Sequence, residues 1–184
     1  MNHYIEISIL PDPEFPATVL MNAIYSKLHK ALCDLGSSKI GVSFPKYGIT
    51  LGNVLRLHGE EAALSDLQGM NWIGGMSGYC NFSDIFTIPL ASKFRTVSRK
   101  QSTMSQAKLR RLIKRGSISL EDIEQYQAKI DSKMLAGPYV ELVSGSNGQR
   151  HRRYIEFGEL IDEPIQGEFD QFGLSKKATI PWFD

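Results

Sequence analysis

The chain has 184 residues, of which 42% are hydrophobic and 22% charged, with a formal net charge of +1. These ordinary values predict one globular domain or two small ones and exclude a disordered chain, a collagen and a coiled coil. No apolar run approaches the roughly 20 residues of a membrane helix, and the N-terminus does not resemble a secretory signal. Because Cys33 and Cys80 have neither metal-ligand nor disulfide-framework spacing, we expect a reduced, cytoplasmic protein.

The first half of the chain predicts strands and helices in the order βαββαβ. Residues 2–10 alternate, with Ile5, Ile7 and Ile9 on one face, as in a half-buried strand. Apolar residues at helical spacing run from 17 to 35 and stop at Gly36. The remaining predicted elements are strands at 40–44 and 54–58, a helix at 60–68 and a weaker strand within 79–89. This order predicts an α+β fold with a ferredoxin-like (RRM-like) domain over residues 1–91.

Residues 92–184 are predicted to form a second, smaller α+β domain. A short basic helix is expected at 105–115, and Ser119 with Asp122 begins another helix that ends near residue 134. Strand patterns flank Asn147-Gly148, a strong two-residue turn signal, and predict a β-hairpin over 139–157. An extended segment at 94–98 and two short segments at 168–172 and 178–182 complete this half.

Charge is distributed unevenly between the two halves. Residues 1–91 hold 5 Lys and Arg against 8 Asp and Glu, a balance of −3, whereas residues 92–184 hold 16 against 12, a balance of +4. The stretch 85–120 contains nine basic residues and no acidic residue. A basic run without acids favours a polyanionic partner, most often nucleic acid. Charge alone leaves a solvated basic face as the alternative.

The basic helix has an apolar edge and two basic rows. Leu109, Leu112 and Ile113 form the edge, so the helix can pack on a domain while its charges reach a phosphate-lined groove. The basic rows consist of Lys108, Arg111 and Arg115, and of Arg110 and Lys114. A basic surface helix without a partner is the alternative.

Three smaller signals are weaker. Arg99 and Gln101 point the same way on an extended segment and are residue types that read guanine and adenine edges. His29 lies beside the apolar stripe of the first helix, where a histidine is most often an ordinary, partly exposed residue, and a general base is the alternative. The turn around Ser144, Ser146 and Asn147 fits either a ribose or phosphate contact or ordinary turn chemistry. The sequence has no P-loop, dinucleotide fingerprint, Cys-x-x-Cys pair, zinc-spaced histidine pair or G-x-S-x-G elbow.

Taken in order, these segments resemble one family, the repeat-RNA endoribonucleases of CRISPR type I-F (Ypest) systems. The resemblance covers residues 3–183 and rests on HYIEI, PDPEFP, KLHKAL, IGVSFP, LRLHG, VSRKQ, SNGQ, FGLSK and PWF. It implies a ferredoxin-like N-terminal domain and a second domain that holds an RNA stem-loop. It further implies cleavage of repeat transcripts at the 3′ base of the hairpin by the ribose 2′-hydroxyl, without a metal or cofactor. The products would be a 2′,3′-cyclic phosphate and a 5′-hydroxyl.

The resemblance also assigns roles to residues. His29 would be the general base, Ser144 would hold the ribose, and Arg99 with Gln101 would read purine edges. His151 stands where the family often has a stacking aromatic, and Phe172 replaces a tyrosine, so it can pack against His29 without a hydrogen bond to it. Ser146 and Asn147, on the predicted turn of the protein, would contact the RNA. The residues that would dock into the groove of the stem are Lys108, Arg110, Arg111, Lys114 and Arg115.

The implied partners are the CRISPR repeat RNA stem-loop, retained after cleavage as guide RNA, and other subunits of a type I-F interference complex. The protein alone would be a monomer without membrane contact. Two alternatives stay open at this point: a catalytically silent RNA-hairpin binder and a DNA-binding regulator with a basic helix. A single deoxyribose at the cleavage position separates the three, because only the enzyme binds that RNA without cutting it but cuts the all-ribose version.

Overall fold

The computed structural model describes residues 1–100, 106–132, 137–143 and 148–183. The chain combines helices and antiparallel sheets, so the α+β prediction is confirmed. It divides into two compact units, one formed by residues 1–99 with 137–184 and the other by residues 100–136. In the described ranges no helix has both the length and the apolar character needed to cross a membrane.

The larger unit is built on an antiparallel sheet with the first strand near its middle. The sheet order is β2 (Gly41–Ser43), β3 (Val54–Gly59), β1 (His3–Ile9) and β4 (Cys80–Phe82), and β5 (Phe86–Thr87) also pairs with β1. Helix α1 (Ala17–Leu35) connects β1 to β2, and α2 (Glu61–Gly69) follows β3. A 3-10 turn at Gly74–Tyr79 leads into β4. The weak strand expected within 79–89 is thus divided into β4 and β5.

Helix α1 covers its full predicted range and buries one stripe. Leu20, Ile24 and Leu28 are at most 3% exposed and belong to the same core as the inward residues of β1. The helix ends because Gly36 adopts φ +63, and its N–H returns to the carbonyl of Leu32 at 3.1 Å. This core fixes the helix on the sheet, and therefore fixes the half-buried residues at the border of its stripe.

Two further sheets complete the larger unit. Strand β6 (Lys93–Arg95) pairs with β10 (Ile180–Trp182). Strand β9 (Arg150–Phe157) lies between β7 (Val97–Arg99) and β8 (Tyr139–Val143), so both strands of the predicted hairpin are confirmed. Buried residues of these strands, including Val140 and Ile155, belong to the same core as the first sheet.

The smaller unit contains two helices in contact, α3 (Gln106–Lys114) and α4 (Leu120–Ser132). The predicted basic helix is therefore confirmed within one residue at each end. Gly116 ends it with φ +64, and the N–H of Ser117 reaches Leu112 O at 3.1 Å. Ser119 caps α4, because its Oγ accepts the Asp122 N–H at 3.1 Å and donates to the Asp122 carboxylate at 2.6 Å.

Candidate functional site

His29 lies at the half-buried border of α1, where a backbone carbonyl fixes its orientation. Its Nδ1 is 2.8 Å from the carbonyl oxygen of Gln171, a residue far away in sequence. Because a carbonyl oxygen can only accept a hydrogen bond, Nδ1 carries the hydrogen and the neutral ring has its lone pair on Nε2. An imidazole held in this tautomer can accept a proton at Nε2, as a general base must.

Cys33 lies one turn further along α1, beside the same ring. Its Sγ is 3.6 Å from His29 Nδ1 and donates to the side-chain oxygen of Gln171 at 3.4 Å. The backbone of Gln171 thus contacts the histidine while its side chain contacts the cysteine.

Phe172 stacks on His29, with ring centroids 3.6 Å apart and planes tilted by 12°. Two hydrogen bonds hold Phe172 in place: the Tyr25 hydroxyl donates to its carbonyl at 2.7 Å, and its N–H donates to Asp170 Oδ1 at 2.8 Å. Burial, together with the Asp170 charge, raises the pKa of Tyr25, so this hydroxyl stays protonated and remains a donor. The turn formed by residues 170–174 therefore positions the ring that supports His29.

Arg153 lies against the other face of Phe172. Its Cζ is 3.5 Å from the ring centroid, and since His29 stacks at a similar distance, the two groups must occupy opposite faces. Only 9% of Arg153 is exposed. Burial and the charge of Arg99 lower the pKa of Arg153, although the guanidinium stays charged at neutral pH. Sequence reasoning missed this residue.

Alternation on β9 is the signal that identifies Arg153 as buried. Arg153 and Ile155 are two residues apart and therefore share the inward face of the strand. Arg99 pairs with Ile155 across the ladder, so it lies diagonal to Arg153 on that same face, although its own side chain is exposed. His151 is exposed and pairs with Leu142 near the start of β9.

Five basic residues of the smaller unit lie on α3 or directly after it, and all five are exposed. Leu109 is 4% exposed and forms the apolar edge expected from the sequence, whereas Ile113 is 48% exposed. The exposed basic residues are Lys108, Arg110, Arg111, Lys114 and Arg115. This is the arrangement that a phosphate-binding helix needs.

One member of the basic run has a different environment. Arg95 donates to the carbonyl of Gly158 through Nε at 2.9 Å and Nη2 at 2.6 Å. Its guanidinium also lies over Trp182, 4.7 Å from the ring centroid, with Tyr47 and Phe157 nearby. The interpretation of the whole run as polyanion-facing is therefore wrong for Arg95, whose donors and ring contacts are made within the protein.

Four predicted site residues, Gln101, Ser144, Ser146 and Asn147, lie outside the described residues. Gly148, the second residue of the predicted Asn147-Gly148 turn, has φ +67. Among the described side chains, no group of three or more His, Cys, Asp or Glu is arranged to hold a metal ion.

Comparison with known proteins adds sequence similarity to this geometry. The family described as CRISPR-associated protein (Cas_Csy4) matches residues 4–183. A protein of Escherichia coli (strain UTI89 / UPEC) named CRISPR-associated endonuclease Cas6/Csy4 is 40% identical over 184 residues, covering 100% of both chains. The protein of that name from Pseudomonas aeruginosa (strain UCBPP-PA14) is 36% identical over 187 residues, again covering 100% of both.

A solved structure also aligns with this chain, at lower sequence identity. The structure titled "Structure A of CRISPR endoribonuclease Cse3 bound to 19 nt RNA" aligns with a TM-score of 0.41 and 12% identity, over 98% of this chain and 100% of that one. Similarity at this level supports no argument about fold or function.

Proposed function

Because the chain belongs to the Cas_Csy4 family of CRISPR-associated proteins and is an endonuclease like its relatives, we propose that it cuts CRISPR repeat RNA at the 3′ base of the repeat hairpin. The observation that carries this proposal is the His29 ring, whose Nδ1 donates to Gln171 and whose Nε2 is left as the basic atom. RNA supplies the matching group, a ribose 2′-hydroxyl next to each phosphate.

The proposed reaction is a transesterification without a metal ion. His29 Nε2 takes the proton of the 2′-hydroxyl, the 2′-oxygen forms a bond to the adjacent phosphorus, and the bond from phosphorus to the 5′-oxygen breaks. The leaving 5′-oxygen takes a proton from water, and His29 returns its proton to the solvent, so the products are a 2′,3′-cyclic phosphate and a 5′-hydroxyl. One general base contributes roughly 10²–10⁴-fold, and fixing the 2′-oxygen in line with the leaving group adds to this. We assign the alignment of the ribose to Ser144.

RNA recognition is assigned mainly to residues 92–184. In this proposal Arg99 and Gln101 read base edges, His151 stacks under the terminal base pair, and Ser146 with Asn147 contact the backbone. The exposed charges of α3 and Arg115 support a role in the groove of the stem: Lys108, Arg110, Arg111, Lys114 and Arg115.

Residues 1–91 are assigned to a ferredoxin-like domain that carries His29. The βαββαβ element order and the antiparallel sheet order β2-β3-β1-β4 support this assignment. We further propose that the enzyme stays on its product stem-loop and joins other subunits of an interference complex. Retention on the product fits a catalyst that is needed once per RNA and that relies on tight binding for specificity.

The test is cleavage of repeat RNA in EDTA by the wild-type protein and by His29→Ala. We expect one cut at the 3′ base of the hairpin with a 5′-hydroxyl downstream, and a loss of roughly 10²–10⁴-fold in rate for His29→Ala. Stem-loop affinity, measured on RNA with a deoxyribose at the cleavage position, should stay within about twofold, since a base contributes to the reaction and not to groove binding. His3→Ala is the matched control, because it removes a histidine at the first residue of β1.

Two outcomes would contradict the proposal. Loss of stem-loop binding together with cleavage in His29→Ala would make His29 a structural residue. A wild-type protein that shifts the RNA without cutting it would be a hairpin-binding subunit, and His151 and Phe172, which depart from the family pattern, would be the first positions to revert.

A further inference from the structure

Arg153 is buried, and one of its guanidinium nitrogens lacks a hydrogen-bond partner among the described residues. Its side chain belongs to the inward face of β9 and is 9% exposed, yet its Nε has no hydrogen-bond partner among the described residues. Buried polar groups almost always have a partner, and a guanidinium presents five N–H donors. Stacking on Phe172 satisfies the ring faces of both groups but none of these donors.

A cavity of about 400 Å³ adjoins the Arg153 side chain, within the larger unit. Phe172, Gln171 and Asp170 form one wall, and Ser37 and Ser38, directly after the end of α1, form another. The cavity therefore contacts the same turn that orients His29, from the side of the Phe172 ring that faces away from the histidine.

The charges around the cavity are mixed, with the positive ones favouring an anion. Arg99 is close enough to lower the pKa of Arg153 by charge repulsion, so the two guanidinium groups add their potentials in this region. Asp170 attracts Arg153, but its Oδ1 already accepts N–H donors from Phe172 at 2.8 Å and Leu174 at 3.0 Å. An anion near Arg153 would relieve the repulsion between the two arginines.

We propose that Arg153 and this cavity bind a phosphate of the RNA strand next to the scissile phosphate. This inference rests on the proposed function, which places the reacting ribose at His29. The His29 ring and the Arg153 guanidinium lie on opposite faces of the Phe172 ring, 3.6 Å and 3.5 Å from its centroid. The separation of these two groups is comparable to that of neighbouring phosphates along an extended strand. A planar guanidinium donates to phosphate oxygens in a paired geometry, and the contact is charge-assisted. Binding there would hold the strand in register with His29 Nε2.

The test is a double-mutant cycle between the protein and the RNA. Single-turnover cleavage is measured for wild type, Arg153→Leu and Arg153→Lys, on native repeat RNA and on RNAs with one neutral methylphosphonate at either phosphate that flanks the scissile one. We expect one of the two methylphosphonates to slow cleavage by the wild-type protein on the order of 10-fold. Arg153→Leu should slow cleavage of native RNA by a similar factor. Arg153→Leu should cut the RNA with that methylphosphonate no more slowly than either change alone allows. Arg153→Lys should recover part of the rate on native RNA.

A matched control comes from the preceding residue on the strand, Arg152. Arg152 is exposed on the opposite face of β9, so Arg152→Leu removes the same charge without entering the cavity, and its effect should multiply with that of the methylphosphonate. Independent, multiplying effects for Arg153→Leu would overturn the proposal, and so would an absence of any effect from both methylphosphonates. If Arg153→Leu does not fold, the Arg153→Lys arm of the cycle decides. Failure of the wild type to cut native RNA would refute the proposed function itself, which is a different result.

Discussion

His58 gives a prediction whose size follows from its surroundings. The ring lies on β3, is 0% exposed, and has Nε2 2.7 Å from Ser43 Oγ on β2. Burial, and to a smaller extent the charge of Arg56, lower the pKa of His58 to about 3 from the ordinary 6.5. Between these two values the unfolded chain binds a proton that the folded protein does not.

Folding stability should therefore fall as the pH drops below 6.5. The His58 contribution is constant above pH 6.5 and decreases by about 1.4 kcal/mol for each unit below it. From pH 6.5 to 4.5 this amounts to about 3 kcal/mol, a large part of the 5–15 kcal/mol typical of a folded domain. Acid would therefore weaken the fold through this residue.

Urea unfolding at pH 7.5, 6.5, 5.5 and 4.5 of the wild type and His58→Gln checks this reasoning. Because both proteins share every other titrating group, the difference between their unfolding free energies isolates His58. We expect the wild-type advantage to shrink by about 3 kcal/mol between pH 6.5 and 4.5. Parallel curves would refute the argument, as would an NMR titration of the His58 ring with a midpoint near 6.5 in the folded wild type.

Two further predictions separate structural from RNA-binding residues. Arg95→Met should lower the unfolding free energy by about 2 kcal/mol, since it removes donors to Gly158, and should leave the salt dependence of RNA binding unchanged. Arg111→Ala should leave the unfolding free energy unchanged and should reduce the slope of log affinity against log salt by about 0.7–0.9. Denaturation and binding titrations measure both, and a reduced slope for Arg95→Met would contradict its assignment.

Gly173→Ala should slow cleavage more than it weakens stem-loop binding, because Gly173 has φ +68 and an added Cβ would lie 2.5 Å from Val42, displacing the turn that orients His29. Unchanged cleavage would show that this turn tolerates the shift.

Local patterns predicted most elements because each has its own periodicity and stop signal. Helix α1 combines a long apolar stripe with Gly36, and α4 begins at the Ser119 and Asp122 pair, so the end of α1 and the start of α4 were predictable from neighbouring residues alone. The fourth strand was weakly predicted because β4 and β5 are 3 and 2 residues long and pair only through β1. Short strands depend on partners that lie far away in sequence.

The candidate site was predictable only where side-chain chemistry is informative. His29 stands out as a titratable residue beside an apolar stripe, but its hydrogen-bond acceptor is a backbone carbonyl, which any residue at position 171 would provide. Arg95 and Arg153 look like surface charges in the sequence, and only the packing of aromatic rings around them shows that they lie within the fold. Basic composition reports charge and does not report which charges face a partner.

The contact between His29 and Gln171 joins a helix that is synthesised early to a turn that is synthesised much later. The ribosome releases α1 and the central sheet long before residues 170–174, so a nascent chain can form that sheet while its histidine still lacks an acceptor. The His29 ring gains its hydrogen-bond acceptor and its stacking partner Phe172 only when this turn folds onto α1. In the proposed reaction, cutting activity should therefore appear later during synthesis than the formation of the central sheet.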